Sequence, residues 1–240
     1  MANSSLYNTI YKGGSLNKVN NMNKNLSNSG VMSLLNEKKG FLLQVFSNLI
    51  FQLLVTFVVA FNINLELLNK GMYFLLLLLF QFLIIVVLAF VPMHPMIKFL
   101  IMTIFSACWG LIFGKMKEYV SPEIIKTAIL GVLGIFVSMF VISLLMLTLG
   151  IKLGFGFGLF LFFALLLLII LNIVLFVMKE QDTYRKIIAI VSIILFSFYI
   201  IYDTQTIIQR DYYGDFITAS MDYYLDVINI FINLIDLQQN

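Results

Sequence analysis

From Phe41 onward the chain alternates long apolar runs with short polar breaks. A hydrocarbon layer of about 30 Å needs roughly 20 mainly apolar residues per helical span. That rule predicts seven spans, at 41–62, 72–91, 96–114, 124–149, 155–178, 187–208 and 217–237. The breaks carry the expected punctuation. Pro92-Met93-His94-Pro95 ends one helix and opens the next, and in Ser121-Pro122-Glu123 the serine is placed to cap a helix whose first position is proline. Lys179 to Lys186 forms the most charged connection. Residues 1–40, rich in Asn, Ser and Lys, are expected to form a disordered tail ahead of a membrane domain at 41–240. The tail includes two glycosylation sequons, Asn3-Ser4-Ser5 and Asn25-Leu26-Ser27.

Two runs break the apolar rule with carboxylates. Asp203 lies near the end of the sixth span, where a charge costs a few kcal/mol unless it faces the bundle interior or a wet cavity. In the seventh span Asp222, Asp226, Asn229, Asn233 and Asp236 recur at spacings of four and three. At about 100° per residue they share a stripe roughly 80° wide on one helical face, with Tyr224, Ile228, Phe231 and Ile235 opposite. Such a helix cannot face lipid all round, so it is expected in the centre of the bundle with its stripe meeting Asp203. Two carboxylates in a low-dielectric site do not both ionise readily and tend to share a proton. The predicted fold is therefore an all-α polytopic membrane protein, a seven-transmembrane helix bundle with the last helix central.

Composition agrees with this reading. The chain is 61% hydrophobic and 11% charged, with a mean hydropathy of +1.01. The net charge of +3, with no basic stripe interleaved with aromatics, gives no nucleic-acid signature. Cys108 stands alone, which excludes an intrachain disulfide, and His94 as the sole histidine with no Cys/His cluster argues against a structural zinc site. Small residues at Ser106, Gly110 and Gly114, at Gly134 and Ser138, and at Gly154 and Gly158 are expected to form helix-packing seams. Basic residues divide almost evenly between the two faces, so they leave the orientation open; Lys38 and Lys39 abutting the first span favour a cytosolic N-terminus.

Tyr202-Asp203-Thr204-Gln205 and the run from Ala219 to Phe231 carry a family resemblance. An aspartate-threonine-glutamine triplet is followed by an alanine-bearing start, an aromatic, an aspartate and Ile228-Asn229-Ile230-Phe231. In these motifs the chain resembles the Bax inhibitor, or lifeguard, family of membrane proteins, and within it the Golgi anti-apoptotic branch. The resemblance covers roughly residues 41–237. It implies a pH-sensitive calcium leak across a Golgi or endoplasmic reticulum membrane that restrains cell death, with Asp203 and Asp226 as the proton-sensing and gating pair. Asp222, Asn229, Asn233 and Asp236 are then candidates for the ion pathway. Calcium, a hard cation that takes oxygen ligands, would be the transported ion, held transiently by Asp203 and Asp226, with no resident cofactor. The implied partners are the lipid bilayer, calcium and apoptosis-regulating membrane proteins.

Two features depart from the family pattern: Asp222 stands where asparagine is usual, and the second span has no Lys or Arg to latch the pair. Two other readings compete. A non-conducting adaptor would act through partners alone. An intramembrane aspartyl protease also uses two aspartates on adjacent spans, one in a Tyr-Asp pair, but no glycine-x-glycine precedes Asp226 and no Pro-Ala-Leu segment exists. A non-enzymatic role is expected.

Overall fold

The computed structural model describes residues 28–63, 71–178 and 182–239. Among these the chain forms seven α-helices and no strand. They are α1 (Asn28–Asn62), α2 (Gly71–Phe90), α3 (Pro95–Met116), α4 (Pro122–Thr148), α5 (Phe155–Met178), α6 (Asp182–Gln209) and α7 (Phe216–Gln238). Five of them are long and apolar enough to cross a membrane, with α2 contributing a shorter apolar stretch at Leu75–Leu88. The seventh, α7, is the helix whose apolar run carries three aspartates.

Local chemistry sets the helix starts. His94 caps α3 by accepting the Met96 amide, with Pro95 in the first turn, and Ser121 caps α4 by accepting the Ile124 amide, with Pro122 following. Asp215 caps α7 through the Thr218 amide. Gly150, at φ +77°, ends the turn after α4 in a conformation that favours glycine.

α7 is the hub. It packs against α6, α1, α4 and α3, and its buried residues run from Ile217 to Ile235. Tyr223, Tyr224 and Ile230 are fully enclosed. α2 and α5, by contrast, turn Leu79, Phe82, Phe160 and Phe163 outward, as helices at the rim of a lipid-embedded bundle do. The seven-helix bundle with a central last helix is thus the observed architecture, and the protein is a multi-pass membrane protein.

Two expectations need correction. The tail was placed at 1–40, but α1 begins at Asn28. Val31, Leu34 and Leu35 recur at one-turn spacing and pack on Leu147 and Ile208, so this segment buries an apolar edge on the ends of α4 and α6. Residues 1–27, with both sequons, lie outside the described residues. The packing seams are also unequal. A Cβ on Gly110 would meet the Thr56 carbonyl oxygen at 2.6 Å, one on Gly114 the Ala60 carbonyl oxygen at 3.2 Å, and one on Gly158 the Tyr202 ring. Gly134 and Gly154 have nothing within 4 Å of that position, and Ser138 is exposed; α4 instead approaches Leu234 of α7 at Gly131.

Candidate functional site: a carboxyl pair between α6 and α7

α6 presents the Tyr-Asp-Thr-Gln segment, and each residue in it has a separate task. The Thr204 hydroxyl donates to the Ile200 carbonyl and accepts from the Tyr223 hydroxyl at 2.9 Å, tying α6 to α7. Gln205 reaches the connection between α4 and α5, accepting from the Leu153 amide at 2.8 Å and donating to the Ile151 carbonyl at 3.3 Å. These two ties fix the rotation of α6 so that Asp203 neighbours Asp226 of α7 across the seam between the two helices. Asp226 is 3% exposed, and its Oδ2 finds no donor. Among the described residues no cation pairs with either carboxylate.

Asp222, one turn earlier on α7, is half-buried and extends the pair into a group of three interacting carboxyls. The Tyr212 hydroxyl donates to Asp222 Oδ2 at 3.4 Å from the connection between α6 and α7. Burial, then the charges of Asp222 and Asp203, push that phenol up, so it remains a donor throughout the physiological range. The Tyr212 ring lies 5.8 Å from that of Phe41 and 5.9 Å from the Arg210 guanidinium carbon, and Lys38 Nζ donates to the Arg210 carbonyl at 2.7 Å. The connection returns through Tyr213 at φ 51° and Gly214 at φ 82°. It is anchored by Lys98, whose Nζ lies 2.5 Å from both Asp215 Oδ2 and the Thr218 hydroxyl. Burial works against the charge on Asp215, but the hydrogen bonds from Lys98 and Thr218 outweigh it and hold the carboxyl below its ordinary value. Tyr212 therefore covers the carboxyl group from one end.

The remaining stripe residues are not gathered at the pair. Asn229 and Asn233 are half-buried and donate to the Leu225 and Asn229 carbonyls, each at 2.7 Å. Asp236 is exposed at the far end, on a polar cavity with Asn172, Arg185 and Asn233. Among the described residues no group of three or more His, Cys, Asp or Glu is arranged to hold a metal ion.

A second polar system accompanies the first and was not among the expected site residues. Asn48, Gln52 and Thr56 lie buried on one face of α1 at a spacing of four. Asn48 Nδ2 lies 2.5 Å from the Ser220 hydroxyl, Gln52 Nε2 donates to Thr103, and the Thr56 and Tyr224 hydroxyls are 2.6 Å apart. This ladder ties α1 and α3 to the face of α7 opposite the carboxylates. Its four-residue period is the signal that would have revealed it. The second span, expected to lack a cation, contributes Gln81, which is buried and donates to the Phe105 carbonyl at 3.2 Å.

The fold and site define a multi-pass helical membrane protein built around an intramembrane carboxyl pair. Residues 38–239 match the family described as inhibitor of apoptosis-promoting Bax1, and the chain belongs to that family. Over 44 residues it is 48% identical to Protein LIFEGUARD 2 of Arabidopsis thaliana, 18% of each chain. Over 68 residues it is 31% identical to the Golgi anti-apoptotic protein of vaccinia virus strain Lister, 28% of this chain and 29% of that relative. An uncharacterized protein of Campylobacter jejuni is 46% identical over 50 residues, 21% of each chain. The matched stretches thus span less than a third of these relatives' length.

Proposed function

We propose that this protein is a pH-sensitive calcium leak of a Golgi or endoplasmic reticulum membrane that restrains cell death by lowering the calcium available for release. The observation that carries the reading is the placement of half-buried Asp203 against buried Asp226 in the seam between α6 and α7, with no cation paired to either among the described residues. When the pair shares a proton, the hydrogen bond holds α6 against α7. When the proton leaves, two like charges face each other in a low-dielectric seam and favour separation of the helices. The opened seam then offers carboxylate and amide oxygens to a hard cation passing along α7. Family membership and the name of the vaccinia virus relative support the anti-apoptotic role and the Golgi placement.

The test in cells is to express wild type and Asp226→Asn at equal levels, follow calcium in the Golgi and endoplasmic reticulum lumens, and score survival under a death stimulus. Wild type is expected to lower resting luminal calcium and improve survival, and the variant to lose both effects together. Survival retained by a variant that no longer alters luminal calcium would favour an adaptor acting through protein partners.

A further inference from the structure

At the membrane face opposite the α6–α7 connection, a cavity of about 330 Å³ lies between the ends of α1 and α3 and the start of α4. Phe57 and Phe61 of α1, with ring centroids 4.4 Å apart, form one side, and Ile125, Ile129 and Leu130 of α4 the other. Both phenylalanines, Ile129 and Leu130 are exposed, so the cavity opens sideways toward lipid. Its charged lining is two lysines and no carboxylate. Lys117 directly follows α3, and Lys126 stands one turn into α4, which places both at the level where spans meet headgroups. Lys117 Nζ donates to the Ala60 carbonyl at 3.0 Å and lies 4.8 Å from the Phe61 ring centroid, so it is held at the end of α1 with two protons still to give. Lys126 is exposed. Among the described residues neither lysine pairs with a carboxylate: Glu118 is taken by Lys115, and Glu123, in the first turn of α4, answers the positive end of that helix dipole without lining the cavity. Beyond the lysines the sides stay apolar for about one further helical turn, roughly 6 Å.

We infer that this cavity binds one anionic glycerophospholipid, with its phosphate at Lys117 and Lys126 and an acyl chain along Phe57, Phe61, Ile129 and Leu130. The arrangement is amphiphilic, cationic at the interface and apolar toward the membrane interior. A free phosphate would use only the lysines, and an uncharged lipid only the apolar sides; an anionic phospholipid uses both. Basic pockets between membrane helices are suited to such headgroups. The bound lipid bridges α1 to α4 beside the close approach of α1 to α3 at Gly110 and Gly114, and so fastens these three helices at one membrane face. It touches none of the carboxyl groups, and the site stands whether or not the protein passes calcium.

Purified full-length wild type, Lys117→Gln, Lys126→Gln, Leu130→Trp and Lys39→Gln in an uncharged detergent test this with two readouts. Leu130→Trp fills the apolar end and keeps both lysines, and Lys39→Gln makes the same charge change near the start of α1, at the other membrane face. In native mass spectrometry, wild type and Lys39→Gln are expected to retain one phosphatidylglycerol per chain in preference to phosphatidylcholine, and the other three variants to retain less. In thermal unfolding, the phosphatidylglycerol concentration that gives half the full rise in melting temperature should increase about fivefold for each lysine removed, the effect of one lysine at an anionic lipid surface. Lys126→Gln keeps the test decisive should Lys117→Gln fold poorly, because Lys126 is exposed and forms no ion pair among the described residues. Equal retention of the two lipids by wild type, or the same lipid response in Lys126→Gln and Lys39→Gln, would overturn the inference. Stabilisation by inorganic phosphate as strong as that by phosphatidylglycerol would overturn it in favour of a simple anion site. A lipid-free dimer that Leu130→Trp abolishes would overturn it in favour of a second copy of the chain.

Discussion

Gly110 and Gly134 offer a matched pair of substitutions on which the helix arrangement makes opposite demands. Both are in helix interiors, where replacing glycine with alanine gains about 0.5–1 kcal/mol from backbone entropy. At Gly134 the new methyl meets nothing within 4 Å, so the whole gain should appear as stability. At Gly110 it would sit 2.6 Å from both the Thr56 carbonyl oxygen and Val59 Cβ, and a backbone carbonyl inside α1 cannot rotate away. Overpacking of this kind costs about 1–3 kcal/mol. Because the propensity term is common to both, the difference between Gly134→Ala and Gly110→Ala isolates the clash, and Gly110→Ala should be the less stable by about 1–3 kcal/mol. Reversible denaturant unfolding in mixed micelles measures this difference. Equal stability of the two variants would refute the close crossing of α1 and α3, and with it the placement of the Asn48–Gln52–Thr56 ladder against α7.

Tyr212 and Asp215 yield two further predictions. Tyr212→Ala removes the cover over Asp222 and should raise calcium leak severalfold in liposomes, whereas Tyr212→Phe, which keeps the ring against Phe41, should raise it less; equal leak from both would remove the ring from the account, and wild-type leak from Tyr212→Phe would remove the hydroxyl. Asp215 has a depressed carboxyl in the folded protein, so its stabilisation is fully present above the unfolded value near 3.9 and is lost as pH falls through the lower folded value. Asp215→Asn should therefore lower the melting temperature at pH 7 and leave the pH profile of leak between 6 and 8 unmoved; a displaced profile would make Asp215 part of the sensor.

How much of this was legible beforehand depends on the kind of interaction. Spans two to seven follow from apolar length, and the structure keeps them within a few residues, because lipid leaves the backbone few alternatives to helix. The start of α1 was not legible: residues 28–40 are too polar to read as a span, and only the packing of Val31 on Ile208 shows why they are helical. Asp203 and Asp226 stood out because charge in an apolar run is costly, whereas Asn48, Gln52 and Thr56 carry none and were passed over despite their spacing. The small residues named Gly110 as a crossing point but equally named Gly134, since residue size does not say which face meets a neighbour. The cover by Tyr212 depends on how a six-residue connection turns back at Gly214, which no periodicity encodes.

The central claim is that the proton shared by Asp203 and Asp226 controls a calcium path. Its most direct test is calcium flux into liposomes containing purified protein between pH 6 and 8, for wild type, Asp203→Asn and Asp226→Asn. A wild-type leak whose pH dependence disappears in either variant is the predicted result. A wild-type leak with the same pH profile in both variants, or no leak from well-folded protein at any pH, would contradict it.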